Sequence, residues 1–317
     1  MRMLLSVIIA TRNRRTLLTR TLDALLRQRG PAGRFEIVVA DNGSTDGTRT
    51  VVERAANRPD APAIRYLFVA RTGKSHAVNA ALDVARGDIL ALTDDDVFPD
   101  PGWLEAIVDA LDRTGADFVA GRVRPVWETA PPPWMSPALY GVLAVPDNGT
   151  RRIDIVGRGG DVMPIGSNMA VRRTVVDRIG GLRTDLGKLD GTLRTGEDHE
   201  FFLRMLDAGY RGVYEPDAVV QHWVPAARLD RRYFRSWLYQ NGRDVARLES
   251  SYPDPARRLL GVPGHLWRQA AADAWAATRG AFRGDCALRF AASARLRWLV
   301  GYVRESWLGA LGGSPAG

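Results

Sequence analysis

The 317-residue chain lacks several features that would place it in a familiar class. Its single cysteine, Cys286, excludes an internal disulfide framework and any zinc site built from cysteines, so we expect a reducing compartment. No apolar stretch approaches the roughly 20 residues that span a bilayer. The run from Met1 to Ala10 continues without a cleavage-like site. The sequence therefore predicts a cytoplasmic protein with neither a cleavable signal nor a membrane span.

Glycine is missing where a dinucleotide-binding protein needs it. The first apolar run leads into Ala10-Thr11-Arg12-Asn13, which contains no glycine cluster. This argues against a nicotinamide-dependent enzyme.

Lysine is scarce as well. Lys74 and Lys188 are the only lysines, so arginine supplies nearly all of the positive charge behind the net +8. A basic protein suits anionic partners such as nucleotide phosphates or an acidic membrane face, although arginine enrichment also follows genome composition. No nucleic-acid-binding module accompanies the charge, so we expect no nucleic-acid partner.

Short hydrophobic runs alternate with stretches of helical spacing. The runs lie at residues 4–10, 35–40, 64–69 and 88–93. This alternation predicts an α/β fold with a mostly parallel, nucleotide-binding sheet flanked by helices. From about Arg228 the sequence is helical, so we divide the chain into a domain at 1–227 and a helical C-terminal region at 228–317. Within the first domain, residues 128–161 are predicted to form a long loop over the site.

Three consecutive carboxylates, Asp94, Asp95 and Asp96, follow the fourth hydrophobic run. A strand that ends in clustered carboxylates puts hard oxygen ligands in the crevice where open α/β sheets bind their ligands. A solvated acidic turn is the alternative, and this motif alone does not decide between them.

Two further segments come directly after strands. Asp41 ends the second strand before an Asn-Gly turn, which turn chemistry alone would explain. Arg71 and Lys74 flank Gly73 where a helix begins, and cations at a helix N-terminus favour an anion such as a diphosphate. An ordinary helix start remains the alternative there.

A second acidic cluster opens a later helix with Glu197 and Asp198. Acidic residues in a first helical turn ordinarily complement the helix dipole, but one of them can also remove a proton from an attacking hydroxyl. His222 ends another apolar run. It is either a structural histidine or part of a metal site whose other ligands are carboxylates.

Taken together, these motifs resemble the inverting, nucleotide-sugar-dependent glycosyltransferases of family 2, which have the GT-A fold. The resemblance covers roughly residues 4 to 245, and the domain at 1–227 is accordingly expected to be a GT-A catalytic domain. It rests on these segments, in the family's order: SVIIATRNR, VVADNGSTDGT, RTGKSHAVNAAL, LTDDDVFPDPGWL, IGSNMAVRR with IGGL, GEDHEFFLRMLDAGY and YEPDAVVQH.

The resemblance implies a donor site. Thr11 and Asp41 match positions that contact the base and ribose, and Asp41 typically reads a uracil-type edge, so a UDP-sugar is favoured over guanosine or thymidine carriers. Arg71 and Lys74 match positions near the base and the diphosphate. Arg12 stands where the family usually has tyrosine, which leaves base recognition open.

The resemblance also implies a divalent cation, Mn²⁺ or Mg²⁺. Asp94 and Asp96 match the outer carboxylates of the DXD motif. Asp96 is the expected metal ligand, and His222 matches a histidine that joins the metal in some members. Asp94 is expected to contact the ribose or a bound water, and Asp95 is grouped with the donor residues as spectator charge.

Catalysis is implied for the second acidic cluster. Asp198 matches the base that deprotonates the acceptor hydroxyl, and Glu197 is expected to orient the site or the acceptor. The Gln-x-x-Arg-Trp motif of processive synthases is not apparent, which favours transfer of a single sugar. The acceptor is expected to be a saccharide, a lipid-linked molecule or a small molecule.

The C-terminal region interleaves tryptophan with arginine. Trp267, Trp275, Trp298 and Trp307 suit either helices packed in the protein or in a homodimer, or an amphipathic surface on the inner face of a membrane. Two other functions are the alternatives to glycosyl transfer. A sugar nucleotidyltransferase would carry a glycine-rich loop after the first strand, and a noncatalytic scaffold would have lost Asp96 or Asp198.

Overall fold

Hydrophobic strands and amphipathic helices alternate as their spacing predicts. The computed structural model describes residues 5–29, 35–158, 160, 162–187, 193–252 and 257–312. The chain divides into two compact units. The first consists of Met1–Val126, Asp147–Asp190 and Glu197–Trp223, and the second of Trp127–Pro146, Gly191–Gly196 and Val224–Gly317. The second unit thus includes two internal segments, and also residues 224–227, that the division at residue 227 placed in the first domain. The domain assignment itself stays a prediction.

The first unit is built around a nine-stranded sheet. Its elements are β1 (Leu5–Thr11), α1 (Arg15–Leu25), β2 (Phe35–Asp41), α2 (Thr48–Ala56), β3 (Ala63–Phe68), α3 (Lys74–Val84), β4 (Ile89–Asp94), β5 (Val97–Pro99), α4 (Trp103–Thr114), β6 (Phe118–Trp127), β7 (Ile153–Ile155), β8 (Asn168–Arg172), α5 (Arg173–Ile179), α6 (Glu197–Asp207) and β9 (Gly212–Val224).

The strand order is β3-β2-β1-β4-β8-β6-β9-β5, with β7 paired to β9. Strands β1 to β4 are parallel, as the sequence predicts. Strand β8 runs antiparallel to both β4 and β6, and β9 runs antiparallel to β5 and β7. The α/β fold class with helices flanking a large sheet is confirmed.

Burial explains why these segments form their elements. Strands β1 and β2 are almost wholly buried, which suits near-continuous hydrophobic runs in a parallel sheet. Helix α1 buries Leu18, Leu22 and Leu25, whose spacing of four and three residues places them on one face. The loops at the strand ends therefore extend from a buried sheet covered by helices.

The predicted loop at residues 128–161 contains regular structure. A 3₁₀ helix lies at Pro137–Leu143, and β7 lies further along. The first of these falls in the second unit and the other in the first unit, so the segment is not one continuous loop. Asp161, where the predicted loop ends, lies outside the described residues, as does Lys188.

The second unit is mainly helical. It contains a short 3₁₀ turn (Ala226–Arg228), α7 (Arg231–Ser251), β10 (Arg258–Leu259), β11 (Val262–Pro263), α8 (Gly264–Arg283) and α9 (Cys286–Gly312). Helices α7 and α9 cross closely at Gly242, where an added Cβ would lie 2.1 Å from the carbonyl oxygen of Trp298. Within the described ranges, no helix is both long and apolar enough to cross a membrane.

The C-terminal tryptophans divide between packing and exposure. Trp267 and Trp298 pack against the small core around Val262 and Tyr302. Trp275 and Trp307 are 64% and 48% exposed. Two of the four tryptophans thus pack within the unit, and the role of the C-terminal region stays a prediction.

Candidate functional site

Sheet topology brings the predicted polar residues together. Thr11 at the end of β1 is paired with Asp41 at the end of β2, and Ala10 is paired with Asp94 at the end of β4. Parallel strands present their carboxyl ends at one edge, where α/β proteins bind ligands. Thr11, Asp41 and the three aspartates from Asp94 to Asp96 therefore share this edge.

A compact ion network holds Asp95 and Asp96. Nη1 of Arg14 lies 3.0 Å from Oδ1 of Asp95 and 2.6 Å from Oδ2 of Asp96. Thr11 donates a 2.7 Å hydrogen bond to Asp95. Burial, followed by the charge of Asp96, raises the pKa of Asp95 to about 6, although Arg14 and Thr11 oppose the shift. Asp95 is thus a buried group fully engaged within the protein.

Asp94 is paired with a different cation. Nζ of Lys74, at the start of α3, lies 2.7 Å from Oδ1 of Asp94, and each side chain is 25% exposed. Burial disfavours the ammonium, but the charges of Asp94, Asp198 and Glu197 outweigh this effect and raise the pKa of Lys74. Lys74 therefore links the two acidic clusters electrostatically.

Asp96 and His222 meet across an antiparallel strand pair. Strand β5 pairs with β9 so that Val97 lies opposite His222, and the amide of Trp223 donates to the carbonyl oxygen of Asp96. Nε2 of His222 lies 3.4 Å from Oδ1 of Asp96, with both side chains buried. Strand register therefore joins two residues that lie far apart in the sequence.

The implied divalent cation can be tested against these donors. Among the described residues, no three His, Cys, Asp or Glu side chains form a group that could hold a metal alone. The spacing of the Asp96 and His222 atoms is close to the roughly 3 Å between neighbouring ligands of Mg²⁺ bound at about 2.1 Å. Mg²⁺ commonly takes one or two protein ligands and completes its shell with substrate phosphates and water. The pair fits a cation that binds together with a diphosphate.

Asp198 has one engaged oxygen and one that is not. Oδ2 accepts a 2.9 Å hydrogen bond from the amide of Gly166. Oδ1 is buried and has no hydrogen-bond partner among the described residues. A buried carboxylate oxygen without a donor is costly, and an acceptor hydroxyl would satisfy it. A side chain at residue 166 would collide with this group, because an added Cβ would lie 2.5 Å from Oδ1.

Glu197 precedes Asp198 in the first turn of α6 and is buried. It is only 7% exposed. Burial, followed by the charge of Asp198, raises its pKa to about 7, and Lys74 partly opposes this shift. Burial and the neighbouring negative charge thus favour the neutral form of the Glu197 carboxyl.

The loops after β2 and β3 are tied to each other. Asp41 is 1% exposed and accepts hydrogen bonds of 2.8 Å from the amide of Ser44 and from the hydroxyl of Tyr66. Asn42 donates to the carbonyl oxygen of Arg71 and accepts from the amide of Gly73. The exposed Arg71 side chain contributes to lowering the pKa of His76, after the larger effect of burial.

Three participants were missed from the sequence. Arg14 bridges Asp95 and Asp96, Tyr66 supports Asp41, and Gly166 positions Asp198. Arg14 and Gly166 both lie inside the segments that carried the family resemblance, which was the signal available. Tyr66 offered none, because its contact depends on the pairing of β2 with β3.

The fold and this edge define an α/β protein with a carboxylate-rich site at the ends of parallel strands. The model of the family described as Glycosyl transferase family 2 matches residues 6–180, more than half of the chain. The chain belongs to this family and is a glycosyltransferase. This membership decides against the nucleotidyltransferase and the noncatalytic scaffold.

Two relatives and one solved structure, all of them glycosyltransferases, agree with this family assignment. Glycosyltransferase AglE of Haloferax volcanii is 29% identical over 231 residues, covering 73% of this chain and 70% of that protein. The pre-mycofactocin glycosyltransferase of Mycobacterium tuberculosis is 29% identical over 198 residues, covering 61% of this chain but 38% of that protein.

The solved structure is the mannosyltransferase PcManGT of Pyrobaculum calidifontis in complex with GDP-Man and Mn²⁺. It matches with a TM-score of 0.63 at 22% identity, covering 98% of this chain and 88% of that one. Identity at this level supports the fold alone, and the GT-A fold is thereby confirmed.

Proposed function

We propose that the protein moves a single sugar from a nucleotide-sugar donor to an acceptor hydroxyl, with a divalent cation and with inversion at the anomeric carbon. The observation that carries the proposal is the buried, unpartnered Oδ1 of Asp198, electrostatically linked through Lys74 to the carboxylates at the strand ends. Such an arrangement supplies a proton acceptor and a binding edge for the donor within one unit.

The donor residues are those at the strand ends. Thr11 and Asp41 contact the base and ribose, and Asp94 and Asp95 complete that side of the site. Asp41 keeps acceptor capacity for a uracil N–H, since a carboxylate has about four acceptor positions and two are used. Arg71 and Lys74 face the diphosphate. A UDP-sugar is therefore the favoured donor, with the GDP-Man of PcManGT as the competing precedent.

Asp96 and His222 would hold Mn²⁺ or Mg²⁺. When bound, the cation neutralises charge that builds on the leaving diphosphate. Lys74 is placed by Asp94 to add a second positive charge. In this scheme the protein orients the diphosphate by fixed charges before transfer begins.

Asp198 is the general base. Oδ1 takes the proton from the acceptor hydroxyl while the hydroxyl oxygen forms a bond to the anomeric carbon. The bond from the anomeric carbon to the diphosphate breaks, and its electron pair leaves with the phosphate oxygen. Attack comes from the face opposite the diphosphate, so an α-linked donor gives a β-linked product. Glu197 orients the acceptor beside this base.

The experiment is thermal melting with UDP, GDP, dTDP and CDP, each with and without Mn²⁺. We expect one nucleotide, most simply UDP, to raise the melting temperature only when Mn²⁺ is present. The corresponding nucleotide-sugars are then tested for release of that nucleotide in the presence of candidate acceptors. The proposed donor site would be contradicted if no nucleotide raised the melting temperature, with or without Mn²⁺.

We also propose that the second unit contacts the inner face of a membrane and that the acceptor is lipid-linked. The hairpin formed by β10 and β11 exposes Leu259 at 59% and Leu260 at 68%, and Phe282 is 88% exposed. Indole groups of Trp267 and Trp307 donate to the carbonyl oxygens of these two leucines and hold the turn in place. Exposed apolar side chains on a chain of net charge +8 suit an anionic leaflet.

Cosedimentation with phosphatidylglycerol vesicles tests this contact. The pair Leu259→Ser and Leu260→Ser should lose binding, whereas Val156→Ser, which changes an equally exposed residue of the first unit, should retain it. Equal binding by both proteins would contradict the membrane contact. A homodimer stays a prediction that sedimentation of the same samples without vesicles would settle.

A further inference from the structure

The second unit contains a pocket of about 1060 Å³. Six arginines line it: Arg194, Arg232, Arg235, Arg243, Arg247 and Arg297. The described residues that line the pocket include no aspartate or glutamate. A concave surface with charge of one sign concentrates the electrostatic potential, so this pocket differs from a flat solvated face.

Helix α7 supplies most of the lining through its periodicity. Arg232, Arg235, Arg243 and Arg247 are separated by three, eight and four residues, which places them along one face of a helix. Tyr239 lies on the same face, and the guanidinium of Arg297 from α9 is 5.2 Å from the centre of its ring. Two helices that pack closely against each other therefore supply most of the pocket lining.

Some of this charge is compensated within the protein. Glu305 accepts from Nε of Arg243 at 2.7 Å and from Nε of Arg247 at 2.5 Å. Asp244 lies 3.5 Å from Arg247 and also accepts from the amide of Thr195. Both acidic residues thus offset charge on arginines near the C-terminal end of α7.

Three other arginines of the pocket have no such compensation from the described residues. Among the residues that the structure describes, Arg232, Arg235 and Arg297 form no ion pair. Arg235 lies 5.5 Å from the ring of Phe290, which orients its guanidinium without neutralising it. These three like charges, two on α7 and one on α9, line the same pocket, and a bound anion would offset them.

We propose that this pocket binds the phosphate or diphosphate group of a phosphorylated substrate. Planar guanidinium groups on converging helices match phosphate oxygens in pairs, which a lysine-lined surface could not do. A role for that substrate as the sugar acceptor rests on the proposed function.

Calorimetric titration of inorganic pyrophosphate in the presence of EDTA tests the pocket, because EDTA removes the metal that the donor site requires. The variant Arg232→Gln with Arg297→Gln should bind pyrophosphate at least about tenfold more weakly than the wild type. The matched control is Arg268→Gln with Arg289→Gln, which removes the same charge from exposed positions on α8 and α9 and should bind as the wild type does. Equal weakening in both variants, or none in either, would overturn the proposal.

Two competitors identify the source of the phosphate. Displacement of pyrophosphate by phosphatidylcholine vesicles that contain phosphatidic acid, but not by vesicles without it, assigns the pocket to a lipid phosphate. Displacement by glucose 6-phosphate alone assigns it to a soluble sugar phosphate. Displacement by neither would overturn a substrate role for the pocket.

The two proposals fail separately. Metal-dependent nucleotide binding should be the same in the Arg232→Gln, Arg297→Gln variant as in the wild type. Loss of nucleotide binding in every protein with pyrophosphate binding intact would contradict the donor site and leave the pocket, and the reverse result would contradict the pocket alone.

Discussion

The two units of this glycosyltransferase place charge of opposite sign by different means. In the first unit, carboxylates gather because parallel strands end at one edge, and each of Asp94, Asp95 and Asp96 has a cation beside it. In the second unit, four arginines repeat along one face of α7, and Arg194 and Arg297 join them in the pocket. Three of these six arginines have no ion-pair partner among the described residues. The comparison separates a charge-balanced site suited to chemistry from a charge-rich pocket suited to binding.

Among the tests of this contrast, the largest change in turnover is expected from Asp198→Asn. The amide cannot accept the acceptor's proton, so turnover should fall by about 10²-fold or more while donor binding stays close to that of the wild type. Steady-state kinetics with the identified donor measure both. Asp207→Asn at the other end of α6 is the control and should leave turnover unchanged.

A turnover in Asp198→Asn close to the wild-type value would remove this residue from the base role. Another group would then have to accept the proton, and the first unit would lose the residue on which its chemical role in this contrast depends.

The next effect is expected from Gly166→Ala. The new Cβ would overlap the Asp198 carboxylate at 2.5 Å and displace it from the amide that holds it. We expect turnover to fall roughly tenfold or more, since displacement of a reacting group by about 1 Å is costly. Gly102→Ala, where no atom lies within 4 Å of the added Cβ, is the matched control. Equal kinetics in both variants would show that Asp198 need not hold this position.

Glu197→Gln should change stability in a pH-dependent way. The pKa of Glu197 is raised from 4.5 to about 7, so the folded protein holds this proton more tightly than the unfolded chain does. Its carboxyl therefore lowers the free energy of unfolding as pH rises from about 4.5 to about 7, and the full penalty persists above that range. The variant should exceed the wild type by up to about 3 kcal/mol near pH 8 and by much less near pH 4.

Urea unfolding at both pH values measures this difference. Glu105→Gln, at an exposed position in the first turn of α4, should show no such trend. A stability difference for Glu197→Gln that is the same at both pH values would contradict the burial of an ionised carboxylate at this place.

The smallest effect is expected from Tyr66→Phe. Removing the hydroxyl takes one donor from Asp41, which should lower the free energy of unfolding by about 1 kcal/mol and weaken nucleotide binding by a few-fold. Tyr210→Phe is the control for loss of a tyrosine hydroxyl. Unchanged stability and binding in Tyr66→Phe would mean that Asp41 does not depend on this support.

Much of the first unit was predictable because local patterns and topology agree. Hydrophobic runs separated by helical spacing fixed β1 to β4, and a parallel sheet then required Thr11, Asp41 and Asp94 to end at one edge. The pairing of Asp96 with His222 was reached only through family resemblance, since the register of β5 with β9 has no local sequence signal.

The second unit was less predictable. The spacing of Arg232, Arg235, Arg243 and Arg247 is visible in the sequence, yet a helical face of arginines looks the same whether it is solvated or lines a pocket. Helix α9 adds Arg297 to the pocket, and the packing of α7 against α9, seen in their close crossing at Gly242, is a long-range contact without a local sequence signal.

The central claim, that the first unit separates donor binding from proton transfer, is tested most directly by one set of calorimetric titrations. The nucleotide identified by melting is titrated with Mn²⁺ into the wild type, Asp96→Ala, Asp96→Asn and Asp198→Asn. We predict that both Asp96 variants lose metal-dependent binding, whereas Asp198→Asn binds as the wild type does. Unchanged affinity in both Asp96 variants, or loss of affinity in Asp198→Asn, would contradict the account.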